Sequence, residues 1–330
     1  MRILFIGPTY VGDAVVSTGL VDHLLREYPQ ARVTVACGAP AEPLFAAMPN
    51  CEQVLVVRKR GQIGHWIDLW RACVGTRWDI VVDLRGSALS WFLRAGKRHV
   101  FRPNPRLAHR THALAATLGL DDLPPPVMWT GPEHEAAAAR LLPPGAPILA
   151  LGLTGNWPPK IWPGERFAEL ARRLTAPNGP LPNGRIAVFA AAHERPIVAP
   201  ILAALPPERT VDLVGRLDLT TVGAAMKRAA LFIGNDSGPL YIAVACGIPT
   251  LGLFGPTPGL FPAHGSSPAR WAPLAGTVRT AEAAAIVTDR PVDGPIGRAL
   301  MEGLTVDAVE QAARDLLARV QALTPSANAR

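Results

Sequence analysis

Lysine is nearly missing from this chain: of its 33 basic residues only Lys59, Lys97, Lys160 and Lys227 are lysine, so each stands out against an arginine background. Cysteine is as sparse. Cys37, Cys51, Cys73 and Cys246 form no C-x-x-C pair and no metal-ligand spacing with histidine, which argues against zinc and against a disulfide framework and fits a reducing compartment. No Asp-x-Asp pair occurs, so the usual carboxylate bridge between a metal and a diphosphate is not available. The G-x-G-x-x-G fingerprint is absent too, which argues against a nicotinamide or flavin enzyme. Long apolar runs are lacking. After Arg2 the first run is only Ile3 to Ile6, too short for the core of a signal peptide, and this predicts a chain that is not exported. Residues 237–269 contain no Asp, Glu, Lys or Arg, yet six prolines and six glycines interrupt any helix that would span a bilayer there.

What is present is a 330-residue chain with 49% hydrophobic and 18% charged residues, a globular composition long enough for two domains. The net charge of +7 calls for an anionic partner: nucleic acid, a membrane surface or a phosphorylated substrate. The excess is local. Residues 58–110 hold twelve Lys/Arg against three Asp/Glu, and four of the eight tryptophans. Arg58, Lys59, Arg60, Arg85, Arg94, Lys97, Arg98 and Arg102, interleaved with Trp and Phe, suit an anionic lipid head at a membrane surface, or nucleic acid. Trp66 and Trp70 share a helix face with Ile63, Ile67 and Val74, a pattern more typical of core than of a ligand platform.

The order of apolar runs and amphipathic stretches predicts an α/β fold with parallel sheets covered on both faces. In the first half, strands are expected at 3–6, 33–36, 54–57, 80–83 and 99–101, with helices at 14–27, 63–74 and 87–95. The Pro-rich stretch 142–147 marks the boundary between a domain of residues 1–145 and one of 146–330. After it, strands are expected at 148–153, 186–190, 210–213, 231–234 and 250–254, and helices at 163–174, 195–205, 220–229, 239–245 and 306–323. Two Rossmann-like halves facing a cleft follow, with ligands at the carboxyl ends of the strands.

Three strand-end motifs carry chemistry. Gly7 to Asp13 has the glycine spacing of a Walker A loop, but Asp13 stands where that loop needs lysine, and its carboxylate would repel phosphate. At a helix start Asp13 serves either as an N-cap or as a base toward a hydroxyl. Gly234-Asn235-Asp236-Ser237-Gly238-Pro239 opens a helix whose free N–H groups suit a phosphate, with Asp236 or Ser237 as cap or ligand and the glycines allowing close approach. Thr154 to Lys160 is a Pro-bracketed loop whose lone lysine lies on the same sheet edge as Asp236, where a diphosphate could sit between cation and helix end. Glu194, after the next strand, is either a solvated first-turn residue or a ribose ligand.

Gly12-Asp13, the stretch Thr154 to Trp162 ending in K-x-W-P, and G-N-D-S-G-P followed by Gly255-Pro256-Thr257 together resemble the ADP-heptose:lipopolysaccharide heptosyltransferases, over Met1 to about Leu323. The resemblance implies a GT-B architecture, the last helix free to pack back on the first domain, and metal-independent transfer of heptose from ADP-heptose to the lipopolysaccharide inner core with inversion. It implies no cofactor, a cytoplasmic location on the inner face of the inner membrane, an anionic lipid A/core acceptor and no nucleic-acid partner. By the same resemblance Asp13 is the general base, Thr154 and Lys160 hold the diphosphate, Glu194 the ribose and Leu217 the adenine. Asp236, Ser237 and Gly238 lie at the sugar and phosphates. The acceptor side is read as Gly12, Arg58, Arg60 and Arg85. Two positions depart from the family pattern: Tyr241 stands where His is common, and Gly255 to Gly259 lacks an Asp. The alternatives are a transferase or epimerase using another nucleotide sugar, and a basic nucleic-acid-binding protein.

Overall fold

The computed structural model describes residues 1–58, 60–61, 63–103, 109–122, 124–156, 160–255, 283–287 and 298–323. The chain divides into two compact units, Met1–Gly131 and Pro132–Arg330.

In the first unit β1 (Arg2–Ile6), β2 (Arg32–Cys37), β3 (Cys51–Val56), β4 (Arg77–Asp83) and β5 (Arg94–Val100) form a parallel sheet in the order β3-β2-β1-β4-β5. The inner strands are mostly apolar because both faces are covered, and β1 reads Ile3 to Ile6 without a break. Helix α1 (Val11–Glu27) buries Ala14 to Val21 without interruption, polar Ser17 and Thr18 included. Both hydroxyls donate 2.7 Å bonds to carbonyls one turn back, and Thr18 Oγ1 also accepts from the Val127 N–H. Gly19 is required there: a Cβ would come 2.0 Å from the Pro124 carbonyl oxygen. Helix α2 (Gly64–Cys73) and a short 3-10 turn at Ala88–Phe92 pack on one sheet face through Leu69, Cys73, Leu89 and Leu93. A short helix, α3 (Arg110–Ala115), follows β5.

The helix expected at 87–95 is therefore replaced by the turn and by β5. Asp83 turns the chain here, its carboxylate accepting from the N–H groups of Arg85 and Ser87 and from Ser87 Oγ, at 2.9, 2.9 and 2.6 Å. Pairing with β4 then imposes the strand on R-A-G-K-R-H-V, a segment of low intrinsic strand preference.

The second unit begins earlier than the Pro-rich junction at 145/146. Helix α4 (Pro132–Leu141) belongs to it, because Arg228 donates to the Leu142 carbonyl, Arg185 to that of Leu141, and Lys227 reaches Glu135. Its sheet contains β6 (Ile148–Gly152), β7 (Arg185–Phe189), β8 (Thr210–Asp212), β9 (Leu231–Asn235), β10 (Thr250–Phe254) and β11 (Ala283–Val287), in the order β11-β10-β9-β6-β7-β8, all parallel. Around it lie α5 (Gly164–Leu174), α6 (Arg195–Ala204), α7 (Leu219–Met226), α8 (Gly238–Ala245) and α9 (Val306–Leu323). Strand β11 was not expected from its alanine-rich sequence; pairing with β10 sets it.

Helix α9, which the family resemblance left free to return to the first domain, packs within the second unit. Val309, Ala313 and Leu316 join the core of α5 and the sheet. Trp162 anchors that core: fully buried, it meets Phe167 edge-on at 4.8 Å, and its indole N–H donates to the Leu304 carbonyl at 2.8 Å. An aromatic pair of this geometry adds about 0.5–1.5 kcal/mol beyond its buried area.

Candidate active site

In an open parallel sheet the ligand crevice lies where successive strands depart to opposite sides. In the second unit that point falls between β6 and β9, whose last paired residues are Gly152 and Gly234. A Cβ on either would come within 2.7 Å of the Phe232 ring, so these two glycines make room for that ring. Gly234 thus serves packing, rather than the approach of a ligand to the backbone.

The two loops leaving this point are joined by buried polar side chains. Asn235, fully buried, donates from Nδ2 to the Leu153 carbonyl at 2.9 Å and accepts from the Trp162 N–H at 3.1 Å. One amide therefore fastens both ends of the segment that carries Thr154 and Lys160. Asp236, 5% exposed, takes the next place: Lys160 Nζ donates to its Oδ2 at 2.5 Å, and Tyr241 Oη donates to its Oδ1 at 2.7 Å. Asp236 thus spends one bond of each oxygen on fastening Lys160 and Tyr241, and Ser237, not Asp236, holds the N-cap position of α8. Ser237 is the residue before α8, yet its side chain caps nothing, and its Oγ is a buried hydroxyl with no partner among the described residues. Gly238 opens the helix with Pro239 beside it.

The electrostatic result is specific. Lys160 and Asp236 cancel, so charge for an anion at this edge must come largely from the N–H groups at the start of α8, with the Ser237 hydroxyl and the remaining Lys160 donors aimed by the pair. Thr154 is buried just past β6. Trp157 to Pro159 of the same loop lie outside the described residues, as do Pro256 to Gly259 and Lys59.

Glu194 and Leu217 occupy a second corner of this sheet edge, beyond β7 and β8. Gly215, at φ +65°, lets the loop after β8 press on the turn that carries Glu194; a Cβ there would lie 2.6 Å from Ala192 Cα. Arg195 locks the corner with a bidentate pair to Asp212 at 2.9 and 3.2 Å. Burial pushes the Asp212 carboxyl up, but the Arg195 fork, the Val214 N–H and the nearby Arg216 together hold it below its usual range. Glu194 Oε2 accepts from the Ala191 N–H at 2.7 Å, so part of its carboxylate already serves as a local cap.

In the first unit the corresponding point lies between β1 and β4, where Ile6 pairs with Asp83. Asp13 sits in the first turn of α1, half-buried, and the N-cap position belongs to Tyr10, 76% exposed. Asp13 is thus placed inside the helix start and not at its cap. Burial pushes the Asp83 carboxyl above its ordinary range, against the bonds it accepts from Ser87 and Arg85. The loop it shapes carries Arg85, whose guanidinium lies 4.5 Å from the Trp66 ring centroid; desolvation lowers its pKa without removing its charge. Trp66 is therefore a platform for Arg85. Arg58 and Arg60 are exposed beyond β3, with Arg60 3.8 Å from Asp68. Gly12 precedes Asp13 on the same turn.

The structure brings Lys160, Asp236, Ser237 and Gly238 together, with Thr154 at the start of the same loop. Glu194 and Leu217 share the neighbouring corner, and Asp13, Gly12 and Arg85 lie along the edge of the other sheet. Two residues were missed as partners: Asn235, visible in the sequence only as the second letter of G-N-D-S-G-P, and Tyr241, seen only as a departure from a family pattern. Among the described residues no group of three or more His, Cys, Asp or Glu is placed to hold a metal ion.

The model of a family described as Glycosyltransferase family 9 (heptosyltransferase) matches residues 73–283. The lipopolysaccharide heptosyltransferase 2 of Salmonella typhimurium is 26% identical over 292 residues, covering 78% of this chain and 83% of that protein. Among solved structures, a glycosyl transferase family 9 protein from Veillonella parvula superposes with a TM-score of 0.77 at 20% identity, over 96% of this chain and 97% of that one. The ADP-heptose lps heptosyltransferase II of E. coli gives 0.75 at 23% identity, over 97% and 100%. At these identities the two structures establish the fold, that of GT-B glycosyltransferases.

Proposed function

The chain belongs to glycosyltransferase family 9, the heptosyltransferase family, and from that membership we propose that it transfers a heptose from ADP-heptose to the inner core of lipopolysaccharide, with inversion and without a metal. The observation that carries the reading is the edge of the second sheet. A buried lysine–aspartate pair, an unpartnered buried hydroxyl and a helix N-terminus converge at the switch point, and a separate corner bearing Glu194 and Leu217 is available for a nucleoside.

The chemistry is a single displacement. Asp13 accepts the proton of the acceptor hydroxyl as that oxygen attacks the anomeric carbon. The bond from that carbon to the phosphate oxygen breaks, and ADP leaves with the electron pair. Its growing charge meets the α8 N–H groups, Ser237 Oγ and Lys160. Thr154 lies along the diphosphate, Glu194 holds the ribose hydroxyls and Leu217 packs on the adenine. Metal independence rests on the absence of an Asp-x-Asp pair from the sequence.

The acceptor is read as an anionic lipid core on the cytoplasmic face of the inner membrane, met by Gly12, Arg58, Arg60 and Arg85. No helix among the described residues is long and apolar enough to cross a membrane. Support for a surface contact comes from Ile63 at the N-cap of α2, Ile67 and Trp70 on α2, and Trp91 and Phe92 on the adjacent turn, all solvent-exposed in a region of positive charge.

The test is incubation with labelled ADP-heptose and a panel of truncated core acceptors, read by mass, with and without EDTA. A one-heptose mass increase unaffected by chelator is the expected result. Transfer only from a different nucleotide sugar overturns the donor assignment, and loss in EDTA overturns the metal-free mechanism.

A further inference from the structure

We infer that Tyr241 is a positioning residue for Lys160, acting through Asp236, so that a tyrosine hydroxyl in α8 sets where the lysine ammonium meets the donor. The inference rests on the reading of this edge as a diphosphate site.

Three observations support it. Each Asp236 oxygen has its own partner, Tyr241 Oη at 2.7 Å on Oδ1 and Lys160 Nζ at 2.5 Å on Oδ2. All three residues are buried, at 8%, 8% and 5% exposure for Tyr241, Lys160 and Asp236, so water does not stand in readily for a lost partner. The backbone beside Lys160 is held independently, by Asn235 Oδ1 on the Trp162 N–H.

The division of labour follows. Asn235 fixes where the loop returns to the sheet. It does nothing for the long lysine side chain, which has four rotatable bonds and, in the described structure, one side-chain partner. That partner is a carboxylate, and the terminal torsion of an aspartate is broad and roughly two-fold. Unless something pins the other oxygen, the carboxylate turns and the ammonium turns with it. The Tyr241 hydroxyl is that pin. It donates from within the helix that also supplies the N–H groups for the anion, so lysine and helix end are held in one frame. Tyr241 is one of only three tyrosines in the chain.

A bystander tyrosine and a positioning tyrosine behave differently in a mutant cycle. Tyr241→Phe keeps the ring and its packing and removes only the donor; Tyr241→His restores a donor of different shape. ADP affinity is measured by calorimetry, and donor KM, acceptor KM and kcat by transfer assay, for wild type, both variants, Lys160→Met and Lys160→Met/Tyr241→Phe, with the thermal midpoint of each. We expect Tyr241→Phe to raise the ADP Kd and donor KM about fivefold to twentyfold, because one misaligned charge-assisted contact is worth about that much. Acceptor KM stays within twofold, and Tyr241→His recovers most of the loss. In the Lys160→Met background Tyr241→Phe changes ADP affinity less than twofold, since its effect passes through the lysine. Equal losses in Phe and His, a parallel rise in acceptor KM, or full additivity in the double variant each overturn the assignment. So does a Phe variant that matches wild type. A wild-type chain that binds no ADP overturns the reading of the site itself, an outcome distinct from all of these.

Discussion

The two sheets use the same topology at their switch points and finish them in opposite ways. The second sheet's strand-end loops are fastened by buried polar side chains: Asn235 across one loop, Lys160 to Asp236, Asp236 to Tyr241, and Arg195 to Asp212 at the next corner. At the first sheet the corresponding carboxylate, Asp83, folds only its own loop, and the other features are half-buried or exposed: Asp13 in the first turn of α1, Tyr10 at its N-cap position, and Arg85 lying on Trp66. A preformed polar frame suits a small charged ligand of fixed shape, because the ordering cost is met during folding. An open edge with aromatic and arginine side chains suits a large amphiphilic partner that brings its own surface. The contrast predicts that lesions in the second unit cost both stability and affinity, whereas those in the first cost function alone.

The strongest way to break the comparison is Asp13→Asn. If the first unit supplies chemistry without structure, the variant loses about 10²–10⁴-fold in kcat, with its thermal midpoint and ADP Kd unchanged. Retention of more than a few per cent of kcat removes Asp13 from the role of base. A fall in midpoint similar to that of a core lesion removes the contrast itself.

Lys160→Met comes next and probes the other half. It leaves a buried carboxylate that keeps the Tyr241 hydroxyl and loses its counter-charge, and breaking a buried pair from one side costs on the order of 3–5 kcal/mol. Stability falls, and ADP binding weakens roughly tenfold to hundredfold, the worth of one hydrogen bond to a charged group. Denaturant melts and calorimetry read the two effects separately. Lost affinity at unchanged stability would mean that the pair is not part of the frame.

Why the sequence shows so much of one half and so little of its wiring has a physical answer. Central parallel strands such as β1, β6 and β9 are buried on both faces, so they stand out as apolar runs bounded by the loops that carry function. Edge strands lack that signature: β5 contains Arg, Lys and His, and β11 is mostly alanine, so both depend on pairing that is not local. Helix α4 and its membership of the second compact unit stayed hidden because the Pro-rich stretch after it looks like a linker, while Arg185 of β7 and Arg228, just past α7, hold the helix end. At the site, the strand-end motifs were legible as chemistry. Which carboxylate meets which cation was not. Asp236 reads as a cap by position, and only the fold brings Lys160 from 76 residues away to claim it. Gly234 reads as room for a ligand, and Phe232, two residues before it, fills that room.

The smallest expected effect tests the open half where it meets solvent. Trp91 and Phe92 are 59% and 70% exposed on the turn beside α2, next to Arg94, and folding leaves them with little to do. Large aromatic side chains at a bilayer interface gain from burying ring area, and nearby arginines add about 1 kcal/mol each at an anionic surface. Replacing both by serine removes the ring area and leaves the charge. Binding to vesicles containing anionic phospholipid should weaken about tenfold, on the basis of about 1–2 kcal/mol lost, while kcat on a water-soluble acceptor, ADP affinity and thermal midpoint stay at wild-type values. Sedimentation with anionic and with zwitterionic vesicles separates the contributions, since residual binding of the double variant should vanish at high salt as arginine contacts are screened. Unaltered vesicle binding would place the contact elsewhere on the molecule. A drop in thermal midpoint would show that these rings are packed in solution, and that the first unit is built more like the second than its surface indicates.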